Sequence, residues 1–462
     1  MGRRRFLGAS AAVLLVTACG GAPGPSPQAG TQPPAAKPAG AAPTSPAPAA
    51  AATPAAARPA SSAGGGSLKV LARSHFVPAF DAWWDKWAAD WGAANKVEVT
   101  IDHILAGELP AKWAAEVAAS AGHDLFGFTQ GGAVNIYNKQ LVDLGEVAEA
   151  LGKKHGGWVD PLASHLGKFQ GVWRGVPDYF VEFSCEYRKD LFEQNGLKVV
   201  DTWDDLLKAG TVLKQKGSPI GIAINQKSND SNNTWHSMLW SYGVSYARED
   251  GKMASFNSQE TKDAVKLAVE LYQKTMTDEV LSWDDTGNNQ GLLSGRISWI
   301  QNPISSLRTI EKEKPELAKN IGISNAPAGP RGRYASVSVA VFGLMSFSPS
   351  VNQAKAFLTD YYATYAEGVK ASEGYNQPLL KDFRKKPMPI IGTDPRLEIL
   401  QDFDQVARAV GHPGPPTPAA AEVESNWLIP LMIGRAVQSN VDEAVAQAAQ
   451  RIEQIYKKHN LT

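Results

Sequence analysis

The two thiols of this 462-residue chain sit in different settings. Cys19 ends the run Val16-Thr17-Ala18-Cys19, behind the short apolar stretch Ala9–Val16 and ahead of a Pro/Ala/Gly segment. Small residues before a Cys at such a boundary look like a bacterial lipobox, whose Cys is lipidated and opens the mature chain. Cys185 lies inside an apolar, strand-like stretch. There a thiol lacks the cationic, accessible surroundings that make a thiolate nucleophile, so Cys185 reads as a small buried residue. A Gly-x-Ser-x-Gly elbow, a His-Glu-x-x-His helix and a Gly-x-x-x-x-Gly-Lys loop are all absent. The eight His show no metal-ligand spacing. Asp204-Asp205 falls in the first turn of a predicted helix, where the helix dipole favours acids. Asp284-Asp285 is harder to assign to structure alone, because it follows Trp283 in a Gly- and Asn-rich polar stretch. No catalytic residue, metal or cofactor is expected.

Composition narrows the classes further. Lys plus Arg (46) equals Asp plus Glu (46), so no basic excess is available to neutralise nucleic-acid phosphates. Two Cys cannot staple a disulfide scaffold. Arg3-Arg4-Arg5-Phe6-Leu7 resembles a twin-arginine export signal. The apolar run behind it is far shorter than the roughly 20 residues that span a bilayer. Residues 1–18 therefore read as a signal peptide, and their three Arg leave with it, giving the mature chain a small acidic excess. Residues 19–66 are the lipidated Cys and a tether of Pro, Ala, Gly, Ser and Thr, too poor in apolar side chains to offset its ordering entropy. Such a coil spans roughly 40 Å. The chain is expected outside the cytoplasm, held to the cell membrane by its lipid alone.

The folded body is predicted to begin at Ser67. Leu68–Ala72 reads as a strand. Trp83, Trp87 and Trp91, four residues apart, predict a helix from Phe80 with a core-facing aromatic stripe. Val97–His103 alternates as a second strand, Trp113–Ala119 is helical, and Asp124–Phe128 is a third strand. That alternation predicts a parallel α/β sheet. Right-handed crossovers then place the loops Arg73-Ser74-His75-Phe76 and Phe128-Thr129-Gln130 on one ligand-facing edge. Further along, Tyr179–Tyr187 is expected as one strand and Trp203–Gln215 as a helix capped by Thr202. Ile220–Ile224, Ile297–Ile300 and Val337–Phe347 are predicted strands. Trp235–Tyr242, Glu260–Thr275, Gln353–Ala366 and Asp442–Lys458 are predicted helices.

Four stretches resemble the extracellular solute-binding proteins, the group that includes maltose-binding protein and other sugar receptors of ABC importers. They are Tyr187–Leu197 with Thr202-Trp203-Asp204-Asp205-Leu206, Gly295–Pro303, Asp394-Pro395-Arg396, and Val441–Val445. The resemblance runs in order over about Ser67 to Tyr456. It implies a two-lobed α/β periplasmic-binding-protein fold (type II) with the ligand cleft between lobes. Lobe one would hold 67–177 and 335–374, and lobe two 178–334 and 375–462. It further implies a non-enzymatic receptor, expected as a monomer, that closes on a mono- or oligosaccharide and docks on the importer's permease subunits.

Sugars are held by aromatic faces and by directional hydrogen bonds. By analogy with the family, the candidate ligand residues are His75 and Phe76 after the first strand, Glu108, Phe128 and Gln130 after the third, and Tyr179 at the first crossing. In the second lobe they are Trp235, Trp283, Asp284, Asn288 and Asn302, with Tyr375 at a late crossing. Relatives that bind maltose carry aromatics where this chain has Ile304 after Pro303 and Ala419-Ala420-Ala421 after its proline-rich turn, which argues against maltodextrin. Two alternatives stay open: the same fold binding a polyamine, peptide or organic anion, and a secreted α/β enzyme.

Overall fold

The computed structural model describes residues 66–462. The signal-like segment, Cys19 and the tether lie outside the described residues. Nine strands build the two principal sheets: β1 (Gly66–Arg73), β2 (Val97–Ile104), β3 (Leu125–Phe128), β4 (Val176–Val181), β5 (Cys185–Arg188), β6 (Trp299–Gln301), β7 (Ile321–Ser324), β8 (Ser338–Leu344) and β9 (Gln377–Pro378). The larger sheet runs β9-β4-β8-β3-β1-β2 and the smaller runs β6-β5-β7.

The larger sheet is mixed, where the sequence predicted a parallel one. β1 pairs in parallel with β2 from Gly66↔Val97 to Arg73↔Ile104, and with β3 through Val70↔Leu125 and Leu71↔Phe126. β8 then inserts antiparallel between β3 and β4. The sequence shows the local βαβ units, but no local pattern shows a distant strand entering among them. The smaller sheet is antiparallel throughout, with β5 at its centre.

The stretch predicted as one strand, Tyr179–Tyr187, is two. β4 belongs to the larger sheet and β5 to the smaller, and Glu182–Ser184 crosses between them. Both strands are buried, so the apolar pattern runs through the break without interruption. Ile220–Ile224 also differs: it is buried but joins no ladder beyond a single bridge, Gly221 to Ile300.

The helices that position the site are α1 (Pro78–Asn95), α2 (Leu109–Ala119), α3 (Trp203–Gln215), α4 (Asn229–Ser241), α5 (Gln259–Thr275), α6 (Gly287–Leu293), α7 (Ser305–Glu313), α8 (Val351–Ala363) and α9 (Val441–Lys458). α3 starts as its sequence demands. Thr202 Oγ1 accepts from the Asp205 N–H (3.1 Å), and Asp205 Oδ2 accepts from the Thr202 N–H (3.2 Å), a reciprocal capping box. The buried stripe of α1 is Phe80, Trp84, Trp87, Ala88 and Trp91, which follows the 3.6-residue period. Trp83 stands one position off that stripe and is only partly buried, its ring 6.2 Å from Tyr361. Trp87 and Trp91 meet Phe357 edge-on at 5.0 and 5.2 Å, which clamps α1 onto α8.

Candidate functional site

The loops at the carboxyl ends of β1, β2 and β3 open on one edge of the larger sheet, where open α/β sheets hold ligands. Arg73, Phe76, Ala106, Thr129 and Gln130 line a cleft there, joined by Ser338 of β8 and Tyr375. The facing wall comes from elements around the smaller sheet: Phe183, Asn229, Asp230, Asp285, Asn289, Asn302, Pro303 and Ser305. The crossing segment Glu182–Ser184 thus runs beside the cleft it connects. The cleft is narrow, with a free volume of about 40 Å³. By the measure in which one water needs roughly 10–15 Å³, that is room for about three waters.

One wall is cationic. The Arg73 guanidinium lies 5.3 Å from the Phe76 ring centre and 5.9 Å from that of Tyr375, a cation–π clasp. The other wall is acidic and hydrogen-bonding. Asp285 accepts from Asn229 Nδ2 (2.9 Å) and from the Asp230 N–H (3.4 Å), tying the start of α4 in place. Asp230 accepts from Asn288 Nδ2 (2.8 Å). Burial, then the neighbouring Asp285 charge, pushes the Asp230 carboxyl well above the usual range. Burial likewise raises Asp285. Asn288 also donates to Asn302 Oδ1 (3.0 Å), and Asn302 donates to Ser306 Oγ (2.9 Å). These bonds fix the polar wall before any ligand arrives.

Of the residues named from sequence, Phe76, Gln130, Asn302 and Tyr375 line the cleft together. Asn288 is buried directly beneath it. His75 and Tyr179 lie behind Arg73. The Val77 N–H donates to His75 Nδ1 (2.9 Å), which leaves Nε2 to donate to Asn376 Oδ1 (2.9 Å). Burial, then the Arg73 charge, lowers the imidazole to about 3, so it is neutral at physiological pH. Phe128 is fully buried, stacked on Tyr137 at 5.7 Å.

Four candidates lie away from the lining. Trp235 is fully buried and donates Nε1–H to the Ala223 carbonyl (3.0 Å). Trp283 is wedged against Gly221, where an added Cβ would come within 2.6 Å of its ring. Glu108 is exposed at the start of α2. Asp284 is exposed and accepts from the Thr286 N–H (2.9 Å) in the turn before α6.

The sequence reading did not select Arg73, Asn229, Asp230 or Asn289, and it singled out Asp285 only as the neighbour of Asp284. Asp230 had a visible signal. Ser228–Asn233 is an unbroken polar run, as expected of a helix start facing a ligand, and α4 begins there, nearly two turns before the predicted Trp235.

Among the described residues no cluster of three or more His, Cys, Asp or Glu could hold a metal ion. Cys185 is fully buried, and burial pushes its thiol well above the usual range, away from nucleophilic character. No helix among the described residues is long and apolar enough to cross a membrane.

A model of the bacterial extracellular solute-binding proteins matches residues 77–366. The chain belongs to this family. Its members hold a solute and do not transform it. No curated protein matches the sequence. Solved structures share the fold over most of its length. Maltose-bound MalE3 of T. maritima aligns with a TM-score of 0.73 at 18% identity, covering 85% of this chain and all (100%) of that one. A sugar transporter protein of Arthrobacter chlorophenolicus A6 with bound laminaribiose gives 0.73 at 18% identity, covering 84% and 99%. An ABC transporter solute-binding protein of Agrobacterium radiobacter K84 in complex with ribitol gives 0.71 at 19% identity, covering 86% and 100%. This solute-binding protein therefore has the α/β periplasmic-binding-protein fold, with mixed sheets.

Proposed function

We propose that this chain is the carbohydrate receptor of an ABC importer, closing on a mono- or oligosaccharide and presenting it to the permease. The observation that carries the reading is the make-up of the cleft. The rings of Phe76, Phe183 and Tyr375 offer apolar faces, and Thr129, Gln130, Asn229, Asp230, Asn289 and Asn302 offer hydrogen bonds within the same small space. Structures of similar fold are described with maltose, laminaribiose and ribitol bound.

The lobes in this reading are 67–177 with 335–374, and 178–334 with 375–462. Strand pairing carries the first lobe's sheet through Val181 and on to Gln377–Pro378. The connecting segments are then short, and a short hinge supports closure in which ligand favours the shut state. The lipobox at Cys19 and the tether behind it would hold the receptor near its importer.

The test is the melting temperature of the full chain against mono- and oligosaccharides, with amino acids, peptides and polyamines as contrast. A ligand at 100 times its dissociation constant adds about 2.7 kcal/mol of stability. Shifts confined to sugars support the reading. Shifts confined to the contrast set overturn it and leave the fold standing.

A further inference from the structure

Arg73 ends β1 and enters the cleft from the larger sheet. A guanidinium carries five N–H donors and a permanent charge. Its ring neighbours hold it without neutralising it. Its hydrogen-bond partners are the Tyr375 and Tyr179 hydroxyls, the latter at a long 3.5 Å from Nη2. Nε is shut off from solvent and has no acceptor. Arg188, Arg384 and Arg396 pair with Asp190 (2.6 Å), Asp404 (2.7 Å) and Asp394 (2.6 Å), and the partly buried Arg174 and Arg408 bond backbone carbonyls instead. Among the described residues, Arg73 has no carboxylate within ion-pair distance. An unpaired cation walled by aromatic rings is costly to keep unless an anion arrives.

A second feature points the same way. The nine-residue helix α7 starts at the cleft, with Pro303 and Ser305 in its lining. Glu182 takes the Ile304 N–H (3.0 Å) and Glu186 takes the Leu307 N–H (3.4 Å), and neither takes those of Ser305 and Ser306. The open end of a helix favours negative charge. Of the acids of the facing wall, Asp230 is held toward its protonated form by burial and the Asp285 charge, and Asp285 is turned to the start of α4, where it accepts from Asn229 and the Asp230 N–H.

We infer that the solute is an acidic sugar, and that its carboxylate pairs with Arg73 while its hydroxyls bond Asp230, Asn289 and Asn302. This rests on the carbohydrate reading above and narrows it. The two poles would also fix which way round the sugar lies. Arg suits a carboxylate better than Lys does, because its planar fork makes two parallel bonds.

The experiment is calorimetric titration of the full chain with D-glucuronate and D-galacturonate against D-glucose and D-galactose, in wild type, Arg73→Gln and Arg73→Lys. Melting curves confirm that each variant is folded. Each uronate is expected to bind at least about tenfold tighter than its neutral counterpart. Arg73→Gln should erase that preference, costing uronate affinity at least about tenfold more than neutral-sugar affinity. Arg73→Lys should keep part of it, and added salt should weaken uronate binding. Neutral sugars bound as tightly as uronates, or an Arg73→Gln loss equal for both, overturns the inference and leaves the carbohydrate reading intact. Silence toward every sugar, with binding of polyamines or peptides, locates the failure in the carbohydrate reading itself.

Discussion

Glu186 offers a measurable test of how this interior is held. It is fully buried in β5, at the centre of the smaller sheet. Oε1 accepts from Ser306 Oγ (2.6 Å) and from the Leu307 N–H (3.4 Å), and Oε2 has no partner. Burial raises its carboxyl from 4.5 to about 8, only partly offset by those bonds. A group whose folded value is raised stabilises most below its unfolded value and loses that contribution as pH climbs toward the folded one. Stability tied to Glu186 should therefore fall between pH 4.5 and about 8. At pH 7 the unfolded chain has released the proton and the folded chain still holds it. With about 1.4 kcal/mol for each pH unit above the unfolded value, the penalty is about 3 kcal/mol. Glu186→Gln removes the ionisation and keeps the shape. Its carbonyl oxygen can take both existing bonds, and its amide places two donors where Oε2 has no partner, a cost that does not change with pH. The melting temperature of the variant relative to wild type should therefore rise by roughly 4 °C from pH 4.5 to pH 7 for a body of this size. Melting by circular dichroism across pH 4.5 to 8 measures this. A difference that does not change with pH would refute the claim that the native state keeps this carboxyl protonated.

Trp235→Ala should destabilise the fold by about 3–5 kcal/mol, because the ring is fully buried and its indole satisfies the Ala223 carbonyl. Denaturant titration of the variant reads this, and a loss below about 1 kcal/mol would contradict the packing described here. His75 acts with the opposite sign to Glu186. Its folded value lies near 3 against 6.5, so acid between those limits protonates the unfolded chain first and destabilises the native state. His75→Gln should flatten the melting temperature over that pH range relative to wild type. An unchanged slope would mean that the imidazole is not held neutral.

Much of the fold was legible because local patterns carried it. The capping box at Thr202 and Asp205, the amphipathic α5 and α9, and the β1–β2–β3 unit all follow from short-range periodicity and turn chemistry. What was not legible depended on distance along the chain. The insertion of β8 between β3 and β4 leaves no local trace, and the break at Glu182–Ser184 hides in a continuous buried pattern. The site divided the same way. Aromatics in strand-end loops, Phe76 and Tyr375, reach the cleft. Trp235 and Trp283 were chosen for their polar neighbours, yet their own surfaces are large enough that burial claims them. Asp230 and Asp285 meet only because two separate segments converge, so their pairing was not visible in sequence.

The position of β8 bears on how the protein is made. A ribosome adding roughly 5–20 residues per second needs about 10–30 s to go from the end of β4 to the end of β8. Throughout that time β3 and β4 have no neighbour between them, and each presents a row of unpaired amides and carbonyls. The nascent chain therefore depends on being held apart from its copies until its late strand arrives. A circular permutant that starts just before Ala335 would shorten that exposure by delivering β8 first.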